Sequence, residues 1–189
     1  MKYIVKPAAT LFITAVITIA MLSAVYTFTL EPIEEQKRKT RETVMNAVLP
    51  QASGFALDET REYAGNIVAI YEGRLPVDGE NVLVGYVVQL SPTGYSGNID
   101  LMVGISAAEE RITGMRVLRH TETPGLGALA VKEDFYRRYD NRELIPLRVV
   151  RSSPGEHEIN AITSATITTR AITDAVNEAI EWYKKGGGR

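Results

Sequence analysis

The chain has 189 residues, a formal net charge of −2, two histidines and no cysteine. That length allows one domain of ordinary size plus an appendage. With no basic face there is no nucleic-acid footprint, and the missing thiols exclude disulfides, thiolate catalysis and cysteine-ligated iron–sulfur clusters.

His120 and His157 lie far apart in sequence, and no His/Glu spacing of a zinc or di-iron site is present. Redox chemistry here would have to come with an organic cofactor.

Residues 8–30, "AATLFITAVITIAMLSAVYTFTL", carry no charge over 23 positions. As a helix at ~1.5 Å per residue this run reaches ~35 Å, against ~30 Å of hydrocarbon. It is too long for the apolar core of a cleaved signal peptide and too evenly apolar for a globular core helix, so it reads as a retained membrane anchor. Glu31 and Pro32 end the apolar run. Lys2 and Lys6 favour a cytoplasmic N-terminus, but Lys37, Arg38, Lys39 and Arg41 on the other side leave the charge rule undecided. Thr10, Thr14 and Thr18 repeat every four residues along one face. Such a row either bonds back to its own helix or forms a seam for partner helices.

Residues 31–49 are highly charged and then apolar, as in a juxtamembrane helix, and residues 50–54 break it. Four runs rich in Val and Ile follow at 66–71, 81–90, 98–106 and 111–120, separated by Gly, Pro, Asn and Ser, and these predict strands. "SAAEER" between the last two reads as a hairpin loop. Residues 128–139 predict a helix and residues 147–150 a short strand. Ala171, Ile172, Ala175, Val176, Ala179, Ile180 and Tyr183 predict an amphipathic helix over 168–185. A long hairpin run with helices after it implies an α+β fold with an antiparallel sheet and flanking helices. The expected organisation is an anchor at 1–30, a juxtamembrane linker at 31–54, one domain at 55–185 and a flexible tail at 186–189.

Two stretches could carry chemistry. In "HTETPGLG", residues 120–127, Pro124 fixes one backbone angle while Gly125 and Gly127 permit positive φ and close approach to a flat ligand. On composition alone this is a turn between strand and helix. In "NAITSATITTRAI", residues 160–172, five hydroxyls (Thr163, Ser164, Thr166, Thr168, Thr169) crowd the start of the last helix. Thr163 or Ser164 is expected to cap that helix. The same geometry offers unpaired amides and a positive dipole end to a phosphate.

Together, "HTETPGLG" and "NAITSAT" resemble the FMN-binding domain shared by the G subunit of Rnf complexes and the C subunit of sodium-translocating NADH:quinone reductases. That family joins FMN through its phosphate to a threonine in the motif Asp-x-x-Ser/Thr-Gly-Ala-Thr, using a separate flavin transferase. The resemblance implies covalent FMN on Thr166, with Asn160 at the Asp place, Thr163 at the Ser/Thr place, Ser164 at the Gly place and Ala165 at the Ala place. It also implies a flavin-lining element at Glu122, Thr123, Gly125, Leu126 and Gly127, and a Gly-Tyr-x-Gly strand at Gly94, Tyr95 and Gly97.

The implied protein is a single-span electron carrier of the cytoplasmic (inner) membrane with its C-terminal domain on the extracytoplasmic side. Its implied partners are the other membrane subunits of an Rnf-type ferredoxin:NAD oxidoreductase, which couples electron flow to ion transport. On that reading it is an electron-carrying subunit rather than a stand-alone enzyme. The competing reading is a membrane-anchored structural or ligand-sensing module without flavin.

Overall fold

The computed structural model describes residues 2–58, 63, 65–77 and 79–187, with side chains from residue 6 onward. The chain divides into two compact units, Met1–Arg41 and Glu42–Arg189.

The first unit is helical, and the helix that begins in it, α1, is assigned over Lys2–Val48. Pro32 ends the apolar run but not the helix. A proline removes one backbone bond, while the Glu34–Lys37 and Glu35–Lys39 pairs on the following turns, at 2.6 and 2.7 Å, favour continued helix. Within the described residues α1 is the one helix long and apolar enough to cross a membrane. Thr10, Thr14 and Thr18 donate to the carbonyls of Lys6, Leu11 and Thr14 at 3.0, 2.9 and 2.8 Å, so each hydroxyl is satisfied within its own helix.

In the second unit a six-stranded antiparallel sheet runs in sequence order: β1 (Gly54–Leu57), β2 (Ile67–Val77), β3 (Glu80–Leu90), β4 (Ile99–Ser106), β5 (Arg111–His120) and β6 (Arg142–Glu143). Alternation sorts its side chains. Ile99, Leu101, Val103 and Ile105 of β4 enter one core, with Tyr86, Val88 and Leu90 of β3 beside them. Met102 and Val87 point the other way and enter a second core with Met45, Val48 and Leu49. Both faces of the central strands are therefore covered, and β4 is buried at seven of eight positions. A Cβ on Gly104 would strike the Val48 carbonyl, so only glycine lets the end of α1 lie this close to the sheet. That carbonyl, left without a helical partner, accepts from the Thr113 hydroxyl.

The first core is closed by α3 (Thr166–Trp182), which buries Ile172, Ala175, Val176, Ala179 and Ile180. A short parallel pair, β7 (Arg148–Val150) and β8 (Glu158–Asn160), leads into it. Asn177 of α3 both accepts from the Leu147 amide and donates to its carbonyl, at 2.8 and 2.9 Å, tying this pair to the helix.

The fold is α+β, as the sequence implies, but two local expectations fail. Residues 128–139 are not one helix: a 3-10 turn at Gly127–Val131, α2 at Glu133–Tyr136 and a second 3-10 turn at Arg137–Tyr139 replace it. Ala130, Phe135 and Tyr139 all join the core. In a regular helix positions five apart are ~140° out of phase, so the extended Lys132 between them resets the phase. Neither Thr163 nor Ser164 caps α3; its N-cap is Ala165, with no side-chain cap bond. After α3, residues 183–187 include Gly186 at φ 108°, outside helical geometry, and a buried Gly187; residues 188–189 of the expected tail lie outside the described residues.

Met45, Val48 and Leu49 are core residues although they precede residue 55. Deleting residues 1–30 is expected to give a soluble, cooperatively melting domain. Deleting 1–54 removes four buried side chains, Met45, Val48, Leu49 and Ala52, the three larger ones at ~1.5–3 kcal/mol each, and is expected to give a chain that aggregates or melts many degrees lower. Equal thermal melts for the two truncations would show that the end of α1 is not part of the core.

Candidate functional site

A cleft of about 370 Å3 lies between the β3–β4 turn, the 120–127 loop and the start of α3. It brings together Tyr95, Glu122, Thr123, Leu126, Gly127, Ser164, Ala165 and Thr166, all of them expected from the sequence. Ile167 and Thr168 also line it. Thr163 and Gly125 do not; Gly125 sits in the same loop at φ 79°, with nothing within 4 Å of where a Cβ would stand.

Glu122 organises this region. It follows the end of β5 and is only 5% exposed. Its Oε1 accepts from the backbone amides of Tyr95 and Ser96 at 2.7 and 2.9 Å. Its Oε2 accepts from the Thr168 hydroxyl of α3 at 2.7 Å. One carboxylate thus ties together three segments that the chain brings from far apart. Gly127 makes room for it, since a Cβ there would collide with Glu122 Oε2 and lie 2.7 Å from Thr168 Oγ1. Burial pushes the Glu122 carboxyl up, but the Ser96 amide, the Thr168 hydroxyl, the Tyr95 amide and neighbouring His120 together outweigh it, leaving the group below the usual carboxylate range. His120 also accepts the Glu122 amide through Nδ1 at 3.2 Å.

The crowded hydroxyls divide by burial and partner. Thr168 serves Glu122, as above. Thr169 accepts from the Ile162 amide at 3.1 Å and donates to the Ala165 carbonyl at 3.0 Å. Thr173 donates to the Thr169 carbonyl at 2.9 Å. Among the described residues Thr163, Ser164 and Thr166 hold no side-chain hydrogen bond, and of these Ser164 and Thr166 line the cleft. Thr166 opens α3, where the first backbone bond runs from the Thr169 amide to Ala165 at 3.0 Å. The three amides before it have no helical partner, and the cap supplies none.

Ser164 stands at φ 62°, in the left-handed region that favours glycine. Asn160, on β8, gives its carbonyl to Arg138 Nη1, while its Oδ1 is the only buried side-chain oxygen without a partner among the described residues. A second cleft of about 360 Å3 borders the far part of α3 and has no hydroxyl among its described lining residues. Its Glu178 and Glu181 are already engaged, the first with Asn66 at 2.8 and 2.9 Å and the second with Lys185 at 2.9 Å.

Residues 94–181 match the model of the FMN-binding domain, and residues 1–48 match that of the RnfG N-terminal region. The G subunit of the ion-translocating oxidoreductase complex of Methanosarcina acetivorans is 31% identical over 190 residues, covering 99% of this chain and 98% of that one. The chain belongs to the RnfG family. The G subunit of the sodium-translocating ferredoxin:NAD oxidoreductase complex of Acetobacterium woodii is 32% identical, covering 97% and 93% of the two chains. The fold resembles that of the C subunit of the sodium-translocating NADH-quinone reductase from Parabacteroides distasonis, with a TM-score of 0.50 at 22% identity over 62% of each chain. It also resembles NqrC of Shewanella oneidensis, with a TM-score of 0.52 at 21% identity over 71% of this chain and 66% of that one. Every residue that lines the cleft, from Tyr95 to Thr168, falls inside the FMN-binding match.

Because Glu122 is held below its ordinary value when folded, its contribution to stability is full above ~pH 4.3, the unfolded value, and is lost as pH falls through the lower folded value. Glu122→Gln is expected to cost about 1–3 kcal/mol at pH 7 and to flatten part of the acid loss. Thermal melts of both forms from pH 7 to pH 3 check this; parallel curves would remove the charge from the account.

Proposed function

We propose that the cleft holds FMN, joined through its phosphate to Thr166 Oγ1, and that the subunit relays electrons in an ion-translocating ferredoxin:NAD oxidoreductase complex. The observation that carries this reading is the position of Thr166. It is a cleft-lining hydroxyl without an internal hydrogen bond, at the first residue of a helix whose N-terminal amides lack a side-chain cap. Such an end favours a phosphate.

The cleft fits the group in size and lining. Its volume lies in the range of small-molecule sites, ~300–1,000 Å3, with Leu126, Ile167 and Ala165 for an apolar ring and hydroxyls and amides for a polar tail. When bound, FMN supplies one- and two-electron transfer. The chain's own residues supply position. For attachment, Thr166 Oγ1 would lose its proton and form the phosphoester bond to the FMN phosphorus, while the phosphoanhydride bond of a flavin dinucleotide donor breaks and its nucleoside monophosphate leaves, on a separate flavin transferase. Glu122 holds the Tyr95–Ser96 amides against the start of α3, so the walls keep their spacing. Tyr95, 71% exposed at the lip, offers a ring face to a flat ligand.

Relatives named as ferredoxin:NAD oxidoreductase subunits support the placement in an Rnf complex beside other membrane subunits. The apolar N-terminal helix supports a single-pass anchor in the cytoplasmic membrane, with the domain on the extracytoplasmic side. A covalent tether suits an electron carrier exposed to an aqueous compartment that would otherwise dilute its cofactor.

Co-expression of the full chain with a flavin transferase is expected to give flavin fluorescence at the protein band of a denaturing gel. Thr166→Ala should abolish it, and Thr163→Ala should leave it. A dark band for the unmodified chain, with the mass of the bare polypeptide, would overturn the carrier reading and leave an anchored module without flavin.

A further inference from the structure

The cleft has an imbalance of charge. Among the described residues its one ionisable lining group besides the exposed Tyr95 is Glu122, held as a carboxylate by three hydrogen-bond donors. A phosphoryl group on Thr166 would add a second negative charge, and no described Lys or Arg lines the cleft. The helix N-terminus supplies only about half an elementary charge. His120 is not among the described lining residues and accepts the Glu122 amide through Nδ1. Arg138 is already engaged with the carbonyls of Asp134 and Asn160.

Arg170 is different. It lies four residues after Thr166 on α3, one turn further along the same face. It is exposed, and among the described residues it holds no hydrogen bond, ion pair or ring contact. Asp174, at the next i+4 position, is not paired with it. Residues four apart on a helix have Cβ atoms ~5–6 Å apart, and helical side chains lean toward the N-terminus, over the turn before their own Cα. An extended arginine at 170 therefore covers the surface around Thr166.

Resting on the FMN reading above, the geometry points to Arg170 as the phosphate-binding cation of this site: its guanidinium pairs with the cofactor phosphate at Thr166 and offsets the second negative charge beside Glu122. Arginine suits the task because its planar fork bonds two phosphate oxygens at once and keeps its charge at every relevant pH. The same position gives an exposed side chain no packing role, so its loss should leave the bare fold unchanged.

The test separates phosphate from ring. Full-length chain, purified in detergent without a transferase, is titrated with FMN and with riboflavin, which lacks the phosphate. Arg170→Ala is expected to weaken FMN about tenfold and to leave riboflavin and the melting temperature of the bare chain as they were. Arg170→Lys should restore part of the loss, and the FMN preference of the unmodified chain should shrink as salt rises. Equal effects on the two flavins, or none on either, would overturn the assignment.

Where free flavins bind too weakly to measure, the flavinylated chain decides. Flavinylation should raise the melting temperature of the Arg170 chain by more than that of Arg170→Ala; an identical gain in both would overturn the pairing. A chain that neither binds flavin nor accepts it from a transferase sinks the FMN reading itself, recognisably apart from a failure of Arg170 alone.

Discussion

A carboxylate taken out of water is costly unless donors replace the lost solvent, and at Glu122 three of them do. The donors come from the turn after β3 and from the first turn of α3, separated from Glu122 by 26 to 46 residues. Each segment alone is an irregular loop or a helix end with little to fix its position. Joined through one anion, they become the walls of a cleft. The two glycines of "TPGLG" then differ in kind. Gly125 meets a backbone demand, φ 79°, with nothing near it. Gly127 meets a steric one: the space its Cβ would fill holds the Glu122 carboxylate. Close approach is the right physical idea for Gly127, but the group that approaches is internal.

Legibility from sequence follows the range of the forces involved. Val- and Ile-rich runs bounded by turn residues mark β3, β4 and β5 nearly to the residue, because strands buried on both faces impose strong local composition. The face of α3 is legible for the same reason, from Ile172 through Ile180. The strands β1, β6 and β8 are not, since four, two and three residues carry no period. Their pairing comes from the neighbour, not from their own side chains. The break at Lys132 is illegible because it answers a three-dimensional need to bury Ala130, Phe135 and Tyr139 together. The second core is hidden too: Met45, Val48 and Leu49 read as the end of a linker until the sheet they cover is known.

At the site, the residue types are legible and their tasks are not. Five hydroxyls in seven positions suggest a cap with spares. The structure gives the spares separate duties. Thr168 belongs to Glu122, and Thr169 belongs to the turn that delivers the chain from β8 into α3. Those bonds span 46 residues in one case and seven in the other, and nothing local marks them. Glu122 itself is visible only through a family motif, because a single Glu in a Gly-rich loop has no periodic signature. Ser164 shows the opposite case. Its φ of 62° explains in backbone terms why the resembling motif has glycine there, and a serine accepts that conformation at a cost of ~1–2 kcal/mol.

The two ends of the same helix therefore answer to different demands. Toward its C-terminus α3 is a core element, with Ala175, Val176, Ala179 and Ile180 buried against the sheet. Its N-terminus forgoes the ~1 kcal/mol that a side-chain cap supplies, although Thr163 and Ser164 stand in the right stretch to provide one. Ser164 is turned into the left-handed region and Ala165 takes the cap position instead. A helix so well anchored by packing does not need the cap to hold its place, so the amides ahead of Thr169 stay available. An anion arriving at Thr166 would then complete the helix end. Binding and helix completion would become one event, and a cofactor joined there would stiffen the element that also closes the hydrophobic core.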